Sequence, residues 1–156
     1  MAVDDGFDVV GVVRRSWSMT SSDIPDVHSL ADLERVWRHL IEPLGFGSRQ
    51  IFAIMLDRDG RVHPSIVNVT DCPATPDGQM LVNLARSLRT VLDEADPDGS
   101  IAMLWARPTH AGTRASDIQW VRAITAVTAA HSLGEWPLHT ADDSVLRVMS
   151  PDDLAA

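Results

Sequence analysis

The five residues Ile101 to Trp105 (IAMLW) contain no polar side chain. A strand without alternation cannot turn either face to water, so it belongs inside a sheet covered on both sides. That requirement selects a layered α/β arrangement, and the flanking sequence supplies the covering layers. Met80, Leu81, Leu84, Ala85, Leu88, Val91, Leu92 and Ala95 recur at helical spacing and form the clearest amphipathic helix in the chain, stopped by Asp96-Pro97-Asp98-Gly99. A second helix is predicted from Ser29, an N-cap with Asp32 three residues on. Leu30, Leu33, Val36, Trp37, Leu40, Ile41 and Leu44 follow at the same spacing, and Pro43 and Gly45 end it. A third runs from about Arg114 to Leu133, with Gly134 as its stop.

The remaining apolar runs read as strands. Ile51 to Leu56 and Arg61 to Val69 flank Asp59-Gly60, a hairpin signal. Asp71 to Asp77 contains two prolines and is a loop. Trp136 to Thr140 and Val145 to Met149 are two short strands separated by Asp142-Asp143. The order helix, two strands, helix, strand, helix, two strands predicts an α/β fold: a single three-layer domain with a mixed sheet, spanning 29–156. Residues 1–28 are less regular. Phe7 to Val13 is a short apolar run able to form a strand, and Ser16 to Asp26 is rich in Ser, Thr and Asp. This segment is expected to be a flexible or loosely docked arm. A chain of 156 residues is long enough for one such domain and a real core.

Charge narrows the partners. The 22 acidic residues outnumber the 13 basic ones, all arginine, giving −9 with neutral histidines. Nonspecific nucleic-acid binding needs clustered cations to replace counterions, and the longest basic run is Arg14-Arg15. No apolar run approaches the ~20 residues of a membrane span. The start, Met1-Ala2-Val3-Asp4-Asp5, is acidic where a signal peptide would be basic. Cys72 has no second cysteine to pair with, so a reducing cytoplasmic address is expected.

The candidate chemistry gathers around the third helix. Arg107, Thr109, His110, Gly112, Thr113 and Arg114 form a polar loop before a helix start, where guanidiniums and helix N–H groups can hold a small anion. The alternative is a solvated loop in which Thr113 merely caps the helix. Asp117 is either a metal ligand or a carboxylate facing the positive end of the helix dipole. Cys72, before Pro73 and without a nucleophile signature, reads as a plain buried thiol. Of five tryptophans, Trp37 and Trp105 fall on core positions, whereas Trp17, Trp120 and Trp136 are candidates to face a partner. No Gly-x-Ser-x-Gly, Gly-x-x-x-x-Gly-Lys or Gly-x-Gly-x-x-Gly motif is present.

From Ser29 on, several phrases resemble the RadC-type branch of the JAB/JAMM metalloprotease-like family. QIFAIMLDRDGRV is similar to that family's first hairpin, and MLVNLARSLRTVL falls at its long middle helix. IAMLWARPTHAGTRASDIQWVRAITAVTAAHSLGEWPLH resembles its signature region, in which a strand ends in His-x-His-Pro and a loop carrying Ser-x-x-Asp opens a helix. The resemblance covers roughly 29–150. It implies a site in which two histidines and an aspartate hold zinc, a glutamate takes the proton of the bound water, and a serine stabilises the oxyanion. Here Trp105 and Arg107 stand at the two histidines, Arg114 at the serine and Arg49 at the glutamate. Pro108 matches the following proline, Asp117 matches the aspartate, and the loop is about one residue shorter.

With four of those five functional positions changed, the resemblance implies a metal-free, non-catalytic domain that works as a protein-interaction or scaffold module, with another protein or a second copy as partner. No catalytic residue and no cofactor are assigned. Two alternatives stay open: a metal-dependent hydrolase whose zinc site is rebuilt from His110, Asp117 and His139, and a small-anion sensor using the Arg107–Arg114 loop.

Overall fold

The structure, a computed structural model, describes residues 2–3, 12–16, 24–109 and 114–150. Among these residues seven strands form one sheet with three helices against it. They are β1 (Ala2–Val3), β2 (Val12–Ser16), α1 (Leu30–Ile41), β3 (Gln50–Leu56), β4 (Val62–Val69), α2 (Gly78–Ala95), β5 (Ser100–Ala106), α3 (Ala115–Ala130), β6 (His139–Ala141) and β7 (Leu146–Val148). The spatial order is β1-β2-β4-β3-β5-β6-β7. Every pairing is antiparallel except β5 with β6, whose parallel connection runs through α3. The domain is therefore mixed α/β, as the order of elements predicts.

Both faces of the central strands are buried. Ile51, Ala53 and Met55 of β3 share one core with Ile101, Met103 and Trp105 of β5, under α2 and α3. Ile54 and Leu56 share the opposite core with Ala102, Leu104 and Ala106, under α1. Alternate residues of one strand feed the two cores, which is why IAMLW has no polar position to spare. The three layers are thus α1, the sheet, and the α2/α3 pair.

Local chemistry sets the element ends. The Ser29 hydroxyl accepts the Asp32 N–H at 3.1 Å, and the Asp32 carboxylate accepts the His28 N–H at 3.0 Å. Asp77 caps α2 by accepting the Met80 N–H at 3.1 Å. Gly60 closes the β3–β4 hairpin at φ +85°, and a Cβ there would meet the Val27 carbonyl oxygen at 2.5 Å. That close approach follows from the Val27 N–H donating to the Gly60 carbonyl at 2.7 Å. β6 starts later than the apolar pattern from Trp136 predicts, because Pro137 has no N–H to donate to a ladder. Within the expected arm, β1 and β2 extend the sheet, Ile24 and Val27 are buried in the core beneath α1, and residues 1, 4–11 and 17–23 lie outside the described residues.

Trp37 carries a polar cost in the α1 core. Its ring is fully buried and its indole Nε1 has no hydrogen-bond partner among the described residues. An orphaned buried donor costs ~1–3 kcal/mol, while trimming the ring to phenylalanine leaves a void of similar penalty. The two effects oppose each other. We expect Trp37→Phe to lie within about 1 kcal/mol of the parent in urea unfolding. A loss of several kcal/mol would show that the indole N–H is satisfied in solution.

Candidate functional site

At the end of β5 the alternation that turns Trp105 toward α3 carries Arg107 to the same side. Its backbone N–H donates to the Ala141 carbonyl at 3.1 Å, tying the strand end to β6. The Arg107 Nε donates to both oxygens of Asp117, at 2.7 and 2.8 Å. Asp117 sits at the third position of α3, where its Oδ2 also accepts the Arg114 N–H at 2.8 Å and its Oδ1 accepts the Trp105 Nε1–H at 3.0 Å. Both partners are buried, Arg107 at 6% and Asp117 at 3% exposure. Burial alone would raise the Asp117 carboxyl. The hydrogen bonds from Arg107, Arg114 and Trp105, with the Arg107 charge, outweigh it and hold the group below the usual carboxylate range.

The loop after β5 is fastened by Thr109, a candidate residue of the sequence reading, and by Asp143, which that reading missed. Thr109, at φ +91°, accepts from Arg107 Nη1 through its hydroxyl at 2.9 Å. Its N–H donates to Asp143 Oδ2 at 2.8 Å, and its carbonyl accepts the Asp143 N–H at 3.0 Å. The other Asp143 oxygen accepts the Phe46 N–H at 3.0 Å. One carboxylate thus joins three segments. The only sequence signal for it was the Asp142-Asp143 pair, which reads as an ordinary turn. Asp142 makes that turn: its Oδ1 accepts the Ser144 and Val145 N–H groups, each at 2.8 Å.

Beside the Arg107–Asp117 pair lies a cleft of about 440 Å³. Arg49, from the residue before β3, and Arg114, the N-cap of α3, line it together with Arg107. Ser48, Ser116, Asp71 and Cys72 complete much of its wall. Arg49 and Arg114 are exposed, and neither guanidinium forms a hydrogen bond or ion pair with the described residues. Cys72 is buried, and burial, then the nearby Asp71 charge, push its thiol up to about 12. It is not a nucleophile at neutral pH.

The other expected site residues are dispersed. His139 pairs with Leu104 across the parallel β5–β6 register and so faces α1, whereas Asp117 bonds residues on the α3 side. The sheet separates them, and both Asp117 oxygens are taken. His110 lies outside the described residues, as do Thr113 and Trp17. Among the described residues no three His, Cys, Asp or Glu side chains gather where they could hold a metal ion. The donor set at the place the resemblance assigns to zinc is one carboxylate already bound to a buried guanidinium, and it does not fit that metal.

Trp120, expected to face a partner, does not. It is 0% exposed, stacks on Trp105 with ring centroids 4.5 Å apart and planes at 14°, and donates from Nε1 to the Pro73 carbonyl at 3.1 Å. The Trp105 ring supplies the surface that draws it inward. Trp136 is half-buried, bonds Ser100 Oγ at 2.9 Å, and lines an apolar cavity of about 310 Å³ beside α3. No helix among the described residues is long and apolar enough to cross a membrane.

These features define a mixed α/β domain with a buried ion pair and an arginine-lined cleft at one end of its sheet. No protein-family model matches the chain, and neither the curated proteins nor the solved structures gave a match.

Proposed function

We propose that the chain is a metal-free domain of JAB/JAMM-like, RadC-type architecture that acts by binding rather than by hydrolysis. The observation that carries this reading is the Arg107–Asp117 pair. Zinc hydrolysis needs three protein ligands and an open position for water. Here the single matching carboxylate is neutralised by an arginine that cannot lose its proton. Support for the resemblance comes from placement: Arg49, Arg107 and Arg114, which stand at three of the altered positions, line one cleft, and Asp117 bonds both Arg107 and Trp105. The partner is a second protein or another copy of this chain, met in the cytoplasm. Trp136, half-buried at the apolar cavity, is the remaining described tryptophan available to it.

Metal content tests the reading. Protein purified without a tag should hold far less than one equivalent of zinc by elemental mass spectrometry. Added zinc should leave its melting temperature unchanged, since a ligand with no native site adds no stability. Stoichiometric zinc, or a melting temperature that climbs with zinc to a plateau, would overturn it.

A further inference from the structure

We propose that the cleft between Arg49 and Arg114 is a carboxylate-binding site, an inference that rests on the metal-free reading above and gives that site a ligand. The chain is strongly acidic, and Arg35, Arg38, Arg58, Arg89 and Arg107 each hold a carboxylate of their own. Among the described residues Arg49 and Arg114 do not, although they come from separate parts of the chain to line the same cleft. An acidic protein that brings two guanidiniums to one concave surface, with no carboxylate among the described residues to partner them, leaves their forks open to an anion.

The charge count selects the anion. Arg107 and Asp117 neutralise each other. Arg49 and Arg114 contribute two positive charges and Asp71, also in the wall, one negative charge. The net is one positive charge, matched by a carboxylate and exceeded by a phosphate monoester. Two fixed structures flank the pair. Arg107 is locked by Asp117 and Thr109, and Ser48, whose hydroxyl accepts the Asp71 N–H at 3.0 Å, holds the opposite wall. A cleft of about 440 Å³ admits more than an isolated carboxylate, so the group belongs either to a small organic acid or to the end of a peptide chain.

The test uses calorimetric titration of the full chain at low ionic strength, where screening is weakest. The probes are acetate, tri-alanine with a free C-terminus, tri-alanine amide and inorganic phosphate. Tri-alanine or acetate should bind, and the amide should bind at least ~10-fold more weakly, which is the loss of about 1.4 kcal/mol expected when a charged hydrogen bond goes. Acetate binding as well as tri-alanine points to free organic acids; tighter binding of tri-alanine points to a chain terminus. Arg49→Ala and Arg114→Ala should each lose at least ~10-fold. Arg86→Ala, an exposed arginine on α2 away from the cleft, removes the same charge and should lose nothing. Equal losses in all three variants, equal binding of the amide, preference for phosphate, or no binding would overturn the proposal. Failure in any of these ways while zinc is also refused leaves the metal-free reading intact; stoichiometric zinc overturns that reading and this one with it.

Discussion

Replacing Arg107 by methionine is expected to destabilise the protein by about 3–5 kcal/mol, the cost of leaving a carboxylate buried without its counter-charge. Asp117 cannot escape to water. It is held at the third position of α3 by the Arg114 N–H and in contact with the Trp105 indole. Protonating it would relieve the charge but weaken both of those bonds, which are made to the anion. A second change should recover part of the loss: Arg107→Met with Asp117→Asn removes both charges while keeping one oxygen, which can accept from Trp105 or from Arg114 but not from both, since they bond different oxygens of Asp117. The double variant should therefore be above the single one, because a buried ion pair stabilises little relative to a neutral pair of similar shape. Guanidinium unfolding at neutral pH reads both effects. A loss below ~1 kcal/mol in Arg107→Met would place the pair in the range of solvent-screened surface bridges, too weak to keep a metal from Asp117.

The elements that sequence made legible are those with a local cause. Ser29 with Asp32, Asp59-Gly60, and the stripe from Met80 to Ala95 each carry a signal within a few residues of the structure they produce. IAMLW announced a strand covered on both sides because burial on two faces leaves no room for alternation. The site was legible only in parts. Arg107 read as a loop residue and Asp117 as a helix-start carboxylate, since nothing in a linear spacing of that kind says the chain turns back between them. Arg49 entered only as an altered position. Its place across the cleft from Arg114 depends on β3 lying next to β5. Trp120 misled for a physical reason. Alanine and threonine fill much of α3, so its buried stripe of Asp117, Trp120, Val121 and Ile124 has weak contrast with the exposed side. In β6, three residues are too few for alternation to assign a face, and His139 could not be placed from its neighbours.

Once His139 is placed, a pH dependence follows. The ring is 1% exposed under α1, its Nδ1 has no hydrogen-bond partner among the described residues, and burial depresses it to about 4. Across the gap stand Glu34, which favours the charged ring, and Arg38, which opposes it, so the neighbours do little to offset burial. In the unfolded chain a histidine titrates near ~6.5. Between those two values the unfolded state binds a proton that the native state refuses, so stability falls as pH falls. The loss begins below ~6.5, grows through pH 5, and levels off near 4 at roughly 3 kcal/mol. The carboxylates held low by their partners, Asp32, Asp96, Asp117 and Asp142, also lose stability in acid, but from the carboxylate range downward. The two causes therefore occupy different windows. His139→Leu keeps an apolar side chain of similar size in the pocket and removes the titrating group. Its urea midpoint should stay nearly flat from pH 7 to 5, where the parent's declines, and both should fall together below 4. Parallel decline of parent and variant across the upper window would assign the acid sensitivity to another group and place the His139 ring in contact with water.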